Sequence, residues 1–399
     1  MAQVVEIAHD NVALLTEYFE LCVYGFDKSN DEGSRAKWFN LAMHSHNYVL
    51  IGDDQHVKSG IMVTNLPVNW QGQEFLMGAV GYVASYPEFG GHGAITQLMA
   101  KASEQMAQDG VLFSYLAPFS YTFYRRFGYE EIFDRVSYQV KAEHFPKMPK
   151  NIGGSVVRGN YATNMDKLEQ IYAQHPQSQS GAVVRADWWQ QYRFSKNPKL
   201  EVAFSYDEQK ELDGYVLYER TAGQVFEVIE LMPLTMQSRQ RLLSFVGKHA
   251  SAYPQFTYES ANQTLMNDLM PEAYHIQTTI TPYMMARVND WVQLIAQWRF
   301  TADLEQPITI HLQDDFLATN DGYWQLSVVN GQGRLEPTAE QQAVDLTIDT
   351  RQLIKVLTGY RTLNQLMITG QITDASADAL SALQRALNYN NKPMLWDYF

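Results

Sequence analysis

One turn constrains this chain more than any other feature. Residues 83–95 read Val-Ala-Ser-Tyr-Pro-Glu-Phe-Gly-Gly-His-Gly-Ala-Ile. Upstream, the runs YVLIG, GIMVTNLPV and EFLMGAVGYVAS are separated by Gly, Asn, Asp and Gln, the pattern of an antiparallel meander over 48–85. Downstream, Ile95, Leu98, Met99, Ala102 and Met106 recur at helical spacing until Asp109-Gly110. A strand therefore enters a helix through Gly90, Gly91 and Gly93. Glycine lets backbone approach a ligand closely. The first helical N–H groups have no partners inside the helix, and with the helix dipole they favour an anion such as a pyrophosphate. The same residues also suit a plain tight turn, and the turn alone leaves both readings open. No Gly-x-Ser-x-Gly accompanies it, and Gly247-Lys248-His249 lacks the spacing of a Walker A.

The order of elements then repeats. Residues 11–24 form an amphipathic pattern, 111–117 a strand, and 121–131 a helical turn that stops at Gly128. A boundary is expected near 147–154. Beyond it come a helix (164–173), strands (201–207, 212–220, 226–234), a helix (238–249) and a strand (255–260). This is the same order without the glycines: Met232-Pro233-Leu234-Thr235-Met236 stands in their place. The third part starts with an expected helix over 284–298. Strands follow over 308–337, joined by Asn-Asp-Gly and Asn-Gly turns, then a strand over 343–350 and helices over 350–357, 363–367 and 375–386. The chain closes on Pro393-Met394-Leu395-Trp396-Asp397-Tyr398-Phe399, whereas tails are usually polar, so this one reads as buried. The expectation is an α/β (α+β) chain of three domains: 1–150, 151–284 and a smaller 285–399.

Charge and cysteine content narrow the partners. The formal net charge is −14, which repels nucleic-acid backbones and anionic lipid and attracts cationic small molecules. Cys22 is the sole cysteine, so neither an internal disulfide nor a thiolate metal cluster can form. The N-terminus lacks a basic region followed by an apolar core, and the apolar stretch 76–84 is too short to span a membrane. A cytoplasmic protein is expected. His44 and His46 have no third ligand at a convincing spacing, so no metal site is expected.

The glycine turn resembles the pyrophosphate loop of the GCN5-related N-acetyltransferases (GNAT), Gln/Arg-x-x-Gly-x-Gly/Ala, here Glu88-Phe89-Gly90-Gly91-His92-Gly93. Glu88, and Gly90 where relatives often carry Arg, both remove positive charge near the phosphates. Arg125 and Arg126 are candidates to compensate. Tyr124-Arg125-Arg126-Phe127-Gly128-Tyr129 resembles the Tyr-x-x-Phe-Gly-Tyr segment of the enhanced intracellular survival (Eis) acetyltransferases. That family joins two GNAT domains to a C-terminal sterol-carrier-like domain. The resemblance spans the chain and is most specific at 83–96, 119–129 and 393–399.

The resemblance implies two GNAT-type mixed-sheet domains, the second degenerate, and acetyl-CoA as co-substrate. It implies that Val83, Ala84 and Ser85 hold the pantetheine and that Gly91, His92, Gly93, Ala94, Ile95 and Thr96 take the pyrophosphate. Phe119 and Ser120 would flank the pantetheine arm. Tyr124 would protonate the departing thiolate, and the main-chain carboxylate of Phe399 would be the base. A phenol near pKa ~10 can donate to a thiolate whose thiol titrates near ~8.5 with little loss. Apart from the resemblance, Tyr124 equally suits packing at a strand–helix junction, and the tail equally suits mere docking. The implied acceptor is a primary amine on an aminoglycoside, a polyamine or a lysine, attacking the thioester directly. Trp38, Phe26 and Asp27 are candidates for its mouth. The family assembles as homo-oligomers, often hexamers, and the resemblance extends that expectation here. The competing reading is a lipid carrier built on the third domain with inactive GNAT domains.

Overall fold

The computed structural model of the chain describes residues 2–221, 223–261, 266–339, 343–387 and 392–399. Packing separates two compact units: residues 1–132, 283–393 and 398–399 form one, and residues 133–282 and 394–397 the other. The first division falls inside a strand rather than at 147–154, and residues 283–393 pack with residues 1–132.

The first unit begins with β1 (Gln3–Glu6), α1 (Val12–Phe26), α2 (Glu32–Ala42), β2 (His46–Ile51), β3 (Val57–Trp70) and β4 (Gln73–Ser85). Next come α3 (Ala94–Gln108), β5 (Phe113–Leu116) and α4 (Tyr121–Arg125). Strands β1 to β4 pair antiparallel in order, and β5 joins β4 in parallel. Helix α3 buries Leu98, Met99, Ala102 and Met106 in one core with Ile61, Val63 and Val80. That is the apolar face its spacing predicts.

The second unit contains most of β6 (Glu130–Lys141), then β7 (Ser155–Gly159), α5 (Met165–Gln174), β8 (Ser180–Val183) and α6 (Asp187–Ser195). It continues with β9 (Glu201–Tyr206), β10 (Leu212–Thr221), β11 (Val225–Pro233), α7 (Met236–Gly247) and β12 (Gln255–Ser260). Its sheet runs β6-β12-β11-β10-β9-β7, parallel only at β11/β12. A meander, a helix and a parallel strand thus occur in both units.

Strand β13 (Ile276–Val288) overturns part of the helix expected over 284–298. Its end pairs antiparallel with β5, Met285 opposite Leu116 and Val288 opposite Phe113. Residues 284–288 are all buried, and a continuous apolar run does not distinguish a strand from a core helix. The partner strand decides. The helix begins only at α8 (Trp291–Gln297), where the Asp290 side chain accepts from the Gln293 N–H.

The remainder of the first unit comprises β14 (Ile308–Gln313), β15 (Gly322–Val329), β16 (Gln332–Pro337), β17 (Leu346–Asp349), α9 (Thr350–Leu357), α10 (Leu363–Ile368) and α11 (Ala377–Ala386). These strands form a separate sheet, β16-β15-β14-β17. The β15–β16 turn places Asn330 and Gly331 at φ 54° and 72°, the geometry that favours Asn-Gly. Among the described residues no helix is long and apolar enough to cross a membrane.

Candidate active site

The site opens where β4 leaves its neighbours. β4 pairs with β5 from Met77 to Val80 and no further. Against β3 its register slips between Gly81 and Ala84, and Tyr82 takes a left-handed φ of 50°. A β-bulge of this kind re-aims a strand. Tyr18 secures it: its hydroxyl donates to the Tyr82 carbonyl at 2.8 Å. A Cβ on Gly60 would meet the Tyr18 ring at 2.4 Å, so glycine there is what admits the tyrosine. Beyond Val80 the two parallel strands part, leaving β4 backbone groups that no β5 partner satisfies.

A cavity of about 360 Å3 occupies this gap. Val83, Ala84, Ser85, Gly91, Gly93, Ala94, Ile95, Thr96 and Phe119 all line it. His92 and Ser120 are not part of its wall. His92 is exposed, and the Ser120 hydroxyl instead accepts from the Phe123 N–H at 3.3 Å to cap α4. Phe89, Gly90, Phe123 and Arg126 complete the wall, and sequence reasoning had not placed the first three there.

Gly91 and Gly93 have φ of 80° and 76°, and a Cβ at either meets no atom within 4 Å. No neighbour forces these residues to be small; the left-handed backbone conformation is what favours glycine. Gly93 caps α3 without a side-chain hydrogen bond, so the first-turn amides face the cavity unsatisfied. The chain therefore fits a pyrophosphate-bearing ligand: a bare helix N-terminus, left-handed glycines and a slot lined by split strands.

On α4, Tyr124 is 2% exposed and packs edge-on to Phe119 and Phe123, with ring centroids at 5.4 and 5.1 Å. It packs against two residues of the cavity wall and is not itself part of that wall. Burial, with a smaller push from Tyr129, raises its phenol above the usual range, so it remains protonated. The remainder of the motif is structural. Gly128 turns at φ 75° over the buried Arg287 guanidinium, which donates to the Phe127 carbonyl and pairs with Asp314 at 3.1 Å. Tyr129 shares a 2.6 Å hydrogen bond with Ser114, which donates to the Gly78 carbonyl.

The tail is buried only as far as Asp397: Met394, Leu395, Trp396 and Asp397 are all 5% exposed or less, whereas Tyr398 is exposed and Phe399 half-buried. Those four residues belong to the second unit, and Tyr398 and Phe399 to the first. The carboxyl carbon of Phe399 lies 3.5 Å from where a Cβ on Gly81 would sit, beside the β4 bulge. Nearby, Tyr82 packs against Phe26 and Trp38 with ring centroids at 5.9 and 6.2 Å. The Lys28 ammonium sits 4.5 Å from the Tyr82 ring centroid. Asp27 ends α1 with a left-handed φ of 49°.

In the second unit the matching helix start borders a cavity of about 450 Å3 but is capped: Thr235 and Ser238 form a reciprocal capping box at α7 that satisfies two amides, their own, without the glycines of the α3 turn. The apolar interior of the sterol-carrier-like part, among Ile295, Phe300, Leu312, Trp324, Leu353 and Leu383, leaves a cavity of only about 20 Å3. That is room for about one water, far below the hundreds of cubic ångströms a lipid needs. Among the described residues no group of three or more His, Cys, Asp or Glu is arranged to hold a metal.

Comparison with known proteins agrees with this geometry. Residues 11–132 and 181–288 each match an acetyltransferase (GNAT) domain family, and residues 292–396 match a sterol carrier protein domain. A search of curated protein sequences found no match. A solved structure from Enterococcus faecalis V583, described as a conserved protein of unknown function and "Probable N-Acyltransferase", is 28% identical with a TM-score of 0.93, covering 100% of both chains. A GCN5-related N-acetyltransferase from Anabaena variabilis is 20% identical with a TM-score of 0.85, again over 100% of each chain. Eis1 from Mycobacterium abscessus shares the fold at 17% identity and a TM-score of 0.82, also over 100% of each. The chain thus joins two acetyltransferase (GNAT) domains in tandem to a C-terminal sterol carrier protein domain.

Proposed function

We propose that the chain transfers the acetyl group of acetyl-CoA directly to a primary amine of a cationic acceptor: an aminoglycoside, a polyamine or a lysine side chain. The observation that carries this reading is the cavity at the β4/β5 split, which ends on the uncapped start of α3. Backbone of Val83–Ser85 holds the pantetheine, and the amides from Gly91 to Thr96 take the pyrophosphate. The amine attacks the thioester carbonyl. As the C–S bond breaks, Tyr124 gives its proton to the sulfur. Its raised pKa is no obstacle, because the burial that disfavours a phenolate also disfavours the thiolate. The Phe399 carboxylate accepts the amine proton directly or through one water. The net charge of −14 favours a cationic acceptor.

In this reading residues 1–150 are catalytic, 151–284 are a degenerate GNAT domain, and 285–399 end in the active-site carboxylate. The enzyme works in the cytoplasm as a homo-oligomer. The test is thiol release from acetyl-CoA across a panel of amines, repeated with Tyr124→Phe. Turnover should fall by roughly 10²-fold with acetyl-CoA affinity unchanged. Near-normal turnover in the variant would reduce Tyr124 to a packing residue.

A further inference from the structure

The phosphate end of the cavity is almost without charge. Arg126 is the one ionised side chain in its wall among the described residues. Coenzyme A carries three phosphate groups, and the glycine loop offers them amides but no cation. Glu88 and Gly90 occupy the positions where positive charge was expected.

The two motif arginines have separate tasks. Arg125 directs Nε and Nη2 at the Glu130 carboxylate, at 3.0 and 2.9 Å, and does not reach the cavity. Arg126 is exposed; its Nε donates to the Phe123 carbonyl at 3.3 Å, and its guanidinium lies 4.5 Å from the Phe123 ring centroid. This anchoring fixes the group at the wall and leaves its outer N–H donors for a ligand.

We propose that Arg126 is the cation that binds a phosphate of coenzyme A, in place of the arginine the glycine loop lacks. This rests on the acetyl-CoA reading above. A guanidinium matches phosphate with two parallel N–H donors, which an ammonium cannot reproduce.

The test compares wild type, Arg126→Gln and Arg126→Lys with acetyl-CoA, acetyl-dephospho-CoA and acetyl-pantetheine, by calorimetry and steady-state kinetics. Arg126→Gln should weaken acetyl-CoA binding roughly tenfold, and Arg126→Lys should recover part of that. Acetyl-pantetheine has no phosphate, so its kcat/KM should be the same in all three proteins. A loss that persists with the dephospho compound assigns the contact to the pyrophosphate, and one that vanishes assigns it to the 3′-phosphate. Unchanged acetyl-CoA affinity in Arg126→Gln, or an equal loss on acetyl-pantetheine, overturns the proposal. Wild-type protein that binds no acetyl-CoA overturns the functional reading beneath it.

Discussion

Asp397 is fully buried, and its replacement by asparagine exposes how the tail is held. Arg185 reaches one of its oxygens with Nε and Nη2 at 3.3 and 3.2 Å, and Trp189 donates to the other at 2.8 Å. Arg193 lies 3.5 Å away. Glu230, also fully buried, pairs with both arginines and accepts from Tyr215 at 2.8 Å. Two guanidiniums therefore face two carboxylates, and the cluster is neutral. Asp397→Asn leaves one positive charge uncompensated in the interior. Removing one partner of a buried pair costs about 3–5 kcal/mol. The amide oxygen can still accept from Trp189, a bond worth about 1 kcal/mol, so the loss should be near the lower end. Asp397→Ala, which loses that bond too, should lie near the upper end. Hydrogen exchange of the β10 and β11 amides, where Tyr215 and Glu230 sit, reads this free energy locally without assuming that the whole chain unfolds in one step. Phe399 is two residues downstream, so a loosened tail should also lower turnover and spare acetyl-CoA affinity. Protection in Asp397→Asn within about 1 kcal/mol of wild type would refute the charge-balance argument.

Three other outcomes follow from the same geometry. A Gly-Ser extension at the C-terminus replaces the Phe399 carboxylate with a neutral amide and should cut kcat at least tenfold, while Phe399→Ala, which keeps a terminal carboxylate, should cost less; a fully active extended enzyme would remove the base assignment. Burial lowers the His175 pKa to about 4, below the ~6.5 of an unfolded histidine, so its stabilising share is complete above pH ~6.5 and is lost as pH falls toward 4. That amounts to about 2 kcal/mol by pH 5 for the second unit, read by chemical melts at pH 7 and 5; His175→Asn should flatten the difference. Glu230 behaves in the same direction at lower pH: burial opposes its charge, but Arg185 and Arg193 hold it down to about 2, so its contribution is present above ~4.3 and disappears as pH drops toward 2, as acid titration of Glu230→Gln against wild type should show.

Much of the first unit was legible because its signals are local. A glycine pair with left-handed φ, a helix with one apolar face and Asn-Gly at a hairpin each act within a few residues, and Gly91, Gly93, Leu98 and Asn330 all announce themselves. What the residues could not reveal depended on partners distant in sequence. Met284–Val288 is a strand because β5 offers it an edge, not because of its own pattern. Helix α2 escaped notice because its sequence, EGSRAKWFNLA, is mostly polar and buries only Trp38, Leu41 and Ala42; its clearest sign is the Asp31 cap. His92 sits inside the motif yet outside the cavity wall, with an exposed side chain, and spacing alone does not tell which residues of a turn face the slot. The separation of Arg125 from Arg126 is decided by Glu130, whose role no spacing rule predicts. The Arg185–Glu230–Asp397 cluster joins positions up to 212 residues apart and leaves no trace in any window.

The central claim is that acetyl-CoA binds at the start of α3 and not in the cavity at the capped start of α7. Calorimetric titration with acetyl-CoA tests both parts. The account predicts one site per chain, lost in Gly93→Val. At φ 76° that substitution strains the backbone by about 1–2 kcal/mol, and its side chain projects into space the phosphates would fill. The Thr235→Val control, at the capped helix start, should leave the stoichiometry and affinity unchanged. Two sites per chain, no heat of binding, or full affinity in a folded Gly93→Val protein would contradict it.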